Sequence, residues 1–78
     1  MTELTDVHIG KLIQEKLKAD GRSVAWLAEQ IHCERSNVYK IFNKASIDLT
    51  LLLQISLILD IDFFEYYSNI YKDICKNE

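Results

Sequence analysis

The sequence predicts an all-α, compact, five-helix domain, and three observations carry that expectation. The chain has 78 residues, enough for one core and no second, so residues 1–78 are read as a single domain. It has no proline and only two glycines, Gly10 and Gly21, so the turn residues of a many-stranded β fold are missing. Its apolar residues recur at spacings of three and four rather than alternating. A hydrophobic share of 49% is rich for so short a chain, and a domain of this size, hiding only roughly 60–65% of its unfolded surface, depends on it.

Ile9, Leu12, Ile13 and Leu17 predict a first helix from about Val7 to about Ala19, with Thr5 or Asp6 as its cap. Gly21 is a natural stop, because glycine accepts the left-handed conformation just past a helix end. Gly10 lies inside this helix, where glycine costs roughly 1 kcal/mol against alanine; a closely packed neighbouring backbone is the favoured reason. Ser23 is a good N-cap for a second helix, whose Val24, Leu27, Ala28 and Ile31 form one apolar stripe. His32, Cys33 and Glu34 interrupt it. A third helix then carries Val38, Ile41 and Phe42 on one side and Ser36, Lys40 and Asn43 on the other. Asp48 caps a fourth helix through Leu59, whose wide band of Leu51, Leu52, Ile55, Ile58 and Leu59 suits a central buried position. Asp62 and Glu65 resemble a capping box and open a fifth helix over about 62–76.

The net charge of −3 disguises a polarised chain. Between Val7 and Lys44, seven bases face four acids, giving +3; the first six residues carry −2, and the part from Ala45 onward carries −4. Such a split directs one face toward phosphates and another toward a partner. No apolar run approaches the roughly 18–20 residues that cross a bilayer, since Thr50, Gln54, Ser56, Asp60 and Asp62 break the richest stretch. The start lacks a basic-then-apolar signal pattern, and Cys33 and Cys75 make a poor disulfide framework. A soluble cytoplasmic protein with free thiols is expected.

Two short helices with a three-residue interruption, the second polar on its outer side, form the skeleton of a helix-turn-helix over about 23–44. The run from Ser23 to Asp48, SVAWLAEQIHCERSNVYKIFNKASID, resembles the lambda-repressor-like family, also called the XRE or Cro type. Leu27-Ala28, Ile31, the turn at His32-Cys33, and Arg35-Ser36-Asn37-Val38 through Ile41 match its pattern in register. Ile9-Gly10 with Ile13 resembles the opening helix of the family, and Leu51 to Leu59 with Ile61 and Phe64 its closing segment. The resemblance covers about Ile9 to Ser68. It departs at His32, where the family has glycine, at Val24, where it often has a phosphate-holding glutamine, and at Phe42-Asn43-Lys44, where it has Glu-Asn-Gly. Lys44 is the expected substitute for the phosphate contacts these departures remove.

The resemblance implies a lambda-repressor-like, sequence-specific, double-stranded DNA-binding transcriptional regulator, with a recognition helix of about Arg35–Lys44 in the major groove. Arg35, Ser36, Asn37 and Lys40 then reach base edges; arginine can fork onto guanine and asparagine can pair with adenine. Without it, those residues are a solvated polar face. Ser23, Trp26, Tyr39, Asn43 and Lys44 are the candidate phosphate contacts. For Trp26 the alternative is a ring lying flat over neighbouring side chains. On the fifth helix Phe63, Tyr67, Ile70 and Ile74 step by four, three and four. Either all of these close the core, or Ile70, Tyr71 and Ile74, which lie beyond the family match, form a homodimer interface.

His8, His32, Cys33 and Cys75 lack zinc-site spacing, and there is neither a nucleophile–base arrangement nor a phosphate-cradling glycine loop, so no metal, cofactor or enzymatic activity is expected. The alternative function is a helix-turn-helix scaffold used as a protein-interaction module, such as an antitoxin; the acidic end and apolar fifth helix favour it.

Overall fold

The structure is a computed structural model and describes residues 7–76. Among them the chain forms five helices and no strand: α1 (Ile9–Ala19), α2 (Val24–Gln30), α3 (Arg35–Phe42), α4 (Leu49–Leu59) and α5 (Phe64–Lys76). The all-helical expectation holds, and each element follows from local chemistry.

α1 begins at Ile9, later than expected, because His8 caps it: its Nδ1 accepts the Lys11 N–H at 3.2 Å. The expected caps, Thr5 and Asp6, lie outside the described residues. Gly21 ends the helix at φ +69°, with the Arg22 and Gly21 N–H groups donating back to the Leu17 and Lys18 carbonyls at 3.0 Å. This closure satisfies carbonyls that would otherwise be orphaned. α2 opens on Ser23, whose hydroxyl oxygen accepts the Trp26 N–H at 3.0 Å. It ends by the same device as α1: Cys33 N–H donates to Ala28 O at 2.9 Å and His32 N–H to Glu29 O at 3.3 Å. Here the left-handed residue is His32, at φ +56°. A side chain in that conformation costs roughly 1–2 kcal/mol, so the turn forms with strain that glycine would avoid.

α1 is tied to the far end of α3. The Ile9 N–H donates to Ala45 O and the Gly10 N–H to Lys44 O, both at 2.9 Å. First-turn donors of α1, which have no partner within the helix, are thus satisfied by the chain leaving α3. The approach needs Gly10: a Cβ there would lie 2.6 Å from the Phe42 carbonyl carbon and closer still to the Ile41 and Phe42 carbonyl oxygens. α3 stops at Phe42, so Asn43 and Lys44 stand past its end rather than within it.

The core joins Ile9, Ile13 and Leu17 of α1 to Leu27, Ala28 and Ile31, to Val38, Ile41 and Phe42, and to Leu52, Ile55 and Leu59 of α4, with Phe63 beneath. Ser56 is buried among them and donates its hydroxyl to Leu52 O at 2.7 Å, which removes the cost of burying it. α4 is capped as expected, the Asp48 carboxylate accepting the Thr50 and Leu51 N–H groups at 3.1 and 3.2 Å. It is not buried on all sides, however. Leu49, Leu53 and Leu57 repeat every fourth residue on its outer face and are 69%, 50% and 74% exposed. Asp60 closes α4 in the left-handed conformation, at φ +54°.

α5 starts at Phe64, two residues after the expected boundary. Asp62 Oδ1 accepts the Phe64 N–H at 3.0 Å, but the Glu65 N–H bonds to the Asp62 carbonyl and the Glu65 side chain makes no return bond, so the expected capping box does not form. Phe63 is buried and Phe64 and Tyr67 pack on the core. From Tyr71 to Cys75 every side chain is exposed, so the distal part of α5 leaves the body of a molecule measuring 44 × 26 × 22 Å. Among the described residues no helix is long and apolar enough to cross a membrane.

Candidate functional site

α3 is short, and its inner residues leave little choice for the rest. Val38, Ile41 and Phe42 are 0%, 6% and 5% exposed. At about 100° per residue, Ser36 and Lys40 must therefore face away from the core, with Arg35 and Tyr39 toward one flank and Asn37 toward the other. All five are exposed, as are Asn43 and Lys44 just past the helix. The sequence-derived set Arg35, Ser36, Asn37 and Lys40 is thus brought together on one polar surface of a single helix.

That surface is braced from behind. α2 packs against α3 through Leu27, Ala28 and Ile31, and the linking residues are held by the closure at His32. The opening of α3 carries no side-chain cap: Glu34 occupies the N-cap position without bonding to a helix N–H. Among the described residues the Arg35 and Ser36 N–H groups have no protein acceptor and point out of the helix end. At the other end, the Gly10–Lys44 and Ile9–Ala45 hydrogen bonds hold the backbone that carries Lys44. Its ammonium is exposed.

The flanking residues fall in different settings. Tyr39 is 54% exposed, and its ring is steadied by an edge-on contact with Phe42 at 6.1 Å between centroids. Ser23 is exposed, but its oxygen already caps α2, leaving the hydroxyl proton as its free donor. Trp26 is half-buried against the core, and the Arg22 guanidinium lies over its ring, 4.6 Å from the centroid. A cation over an indole face is an attractive contact. The indole N–H bonds to nothing among the described residues.

Of the residues expected at a homodimer interface, Tyr71 is 68% and Ile74 is 42% exposed, whereas Ile70 is half-buried. The outer leucines of α4 escape a reading of the sequence. They fall outside the band of Leu51, Leu52, Ile55, Ile58 and Leu59, but the central buried position expected of the helix gives no reason to single them out as exposed. The Arg22–Trp26 contact escapes it too, because it crosses the start of α2 rather than lying within one helix.

His8 is engaged as a helix cap, His32 forms the turn, and Cys33 and Cys75 are both free thiols. Among the described residues, no three of His, Cys, Asp and Glu gather as a metal-ion site. A scan against protein-family models found no match, and neither did searches of curated proteins and of solved structures.

Proposed function

We propose that this chain is a lambda-repressor-like, sequence-specific binder of double-stranded DNA that regulates transcription as a homodimer. The observation that carries the proposal is the outer face of α3: an eight-residue helix, pinned by three buried residues and braced by α2, that turns Arg35, Ser36, Asn37, Tyr39 and Lys40 to solvent. A helix of that width enters the major groove, where arginine and asparagine discriminate bases bidentately. Arg35, Ser36, Asn37 and Lys40 read bases. Ser23, Trp26, Tyr39, Asn43 and Lys44 hold phosphates, joined by the unpartnered N–H groups at the start of α3. Ile70, Tyr71 and Ile74 supply the contact between copies. The protein acts in the cytoplasm, with no cofactor and no catalysis.

The test is binding of random-sequence duplex at low salt, followed by selection of preferred sites from a random pool. Binding that weakens steeply with salt, together with recovery of a defined sequence, is the expected result. No binding to any duplex refutes the proposal. The second reading, a protein-interaction module such as an antitoxin, draws on the exposed stripe of Leu49, Leu53 and Leu57 on the acidic half of the chain. A DNA-inert protein that forms a stoichiometric complex with a protein partner would establish it.

A further inference from the structure

Beside α3 lies an open depression that the proposed contacts touch only at Tyr39. Lys11, Lys18 and Arg22 line it from α1 and the α1–α2 link, Tyr39 and Phe42 form its α3 side, and Glu15 is its one acid. Lys11 and Lys18 are seven residues apart, two turns of helix, and so share one face of α1. The only salt bridge among the described residues is Lys16–Asp20, so neither lysine of the depression has a carboxylate partner. Arg22 is oriented by Trp26 rather than by an acid. Three cations share the depression with one acid that pairs with none of them, so a net positive charge remains there, and an anion relieves the repulsion.

The shape narrows the class of anion. Lys11 and Lys18 stand roughly 10 Å apart along α1 at about 1.5 Å per residue, with Arg22 beyond its end, and a DNA strand carries one charge per roughly 3.4 Å of axis. The row therefore matches about three successive phosphates of a linear polyanion better than one small ion. Tyr39 belongs both to this depression and to the exposed side of α3, so the two surfaces are continuous. We infer that Lys11, Lys18 and Arg22 form a second phosphate-binding wall, which tracks the backbone of the strand bordering the groove that α3 enters. The inference rests on the DNA-binding reading and extends it to α1. Lys11 and Lys18 act there as point charges, and Arg22 as a guanidinium pre-oriented by its indole.

The experiment uses the full chain and a labelled random-sequence duplex, with affinity measured by anisotropy across a salt series. Lys11→Ala/Lys18→Ala should lower the log–log salt slope by about 2, near 0.9 for each phosphate no longer neutralised, and weaken every duplex alike. Lys11→Arg/Lys18→Arg should keep the wild-type slope. Lys16→Ala/Lys72→Ala removes two charges elsewhere and should change the slope far less. Both lysines of the wall are exposed, and helical circular dichroism verifies that each variant folds. An unchanged slope in the first variant, or an equal drop in the third, overturns the wall while leaving α3 as the DNA reader. If wild type binds no duplex at low salt, the DNA reading falls and the wall falls with it.

Discussion

Replacing Gly10 by alanine sets two effects of opposite sign against each other. Gly10 is an interior helical position, so alanine should stabilise α1 by roughly 1 kcal/mol if helix propensity governs. The packing says otherwise. The new Cβ would sit 2.6 Å from the Phe42 carbonyl carbon and closer to two carbonyl oxygens. All three are backbone atoms that cannot rotate aside, so α1 must move off the end of α3 by about 1 Å to restore ordinary contact. Overpacking of this kind costs roughly 1–3 kcal/mol. The shift also stretches the hydrogen bonds from Ile9 and Gly10 to Ala45 and Lys44, each 2.9 Å long. Losing them costs about 1 kcal/mol apiece. After crediting the propensity gain, Gly10→Ala should destabilise by roughly 2–4 kcal/mol. For a domain of this size that lowers the midpoint of thermal unfolding by roughly 10–30 °C. Urea unfolding followed by circular dichroism at 222 nm measures the change. A neutral or stabilising Gly10→Ala would refute the close approach and with it the docking that positions the end of α3.

The opposite result is expected at His32→Gly, which relieves the left-handed strain of an exposed residue at φ +56° and should stabilise by about 1 kcal/mol, read as a raised unfolding midpoint. If α3 reads DNA as proposed, Arg35→Ala should relax preference at one operator position, at a cost of roughly 1–3 kcal/mol of discrimination, whereas Lys44→Ala should weaken all duplexes alike and reduce the salt slope by about one. A panel of operator variants separates the two patterns, and identical uniform losses would make both residues phosphate anchors. For the proposed homodimer, Tyr71→Asp/Ile74→Asp is the cleaner substitution, because Ile70 is half-buried and its replacement risks the fold. Sedimentation should find a dimer for wild type and a folded monomer for the variant; a wild type already monomeric at high micromolar concentration would rule the interface out for the free protein.

Much of the local structure is legible in the chain because it depends on residues within one turn of each other. Ser23 and Asp48 cap the helices they are expected to cap, and Gly21 stops α1 in the expected conformation. The outward set on α3 follows from the three apolar residues on its other side. Helix starts are less legible. His8 rather than an earlier residue caps α1, since an imidazole nitrogen can accept the same N–H that a hydroxyl or carboxylate would.

The five helices, their apolar faces and the charge split can all be read from the chain, because helical periodicity, capping and net charge are set by near neighbours. Gly10 also stands out there as anomalous, but the carbonyls that require it belong to Ile41 and Phe42, some thirty residues away. That pairing exists only once α1 docks on α3. Packing likewise selects which leucines face solvent, Leu49, Leu53 and Leu57, while Leu52, Ile55 and Leu59 face the core, and it brings Lys11, Lys18 and Arg22 together beside α3. The reason is the same in each case. A hydrophobic pattern says that a helix has something to bury, but which side is covered, and by what, depends on how the helices pack. In so small a domain there is too little surface to cover every apolar face.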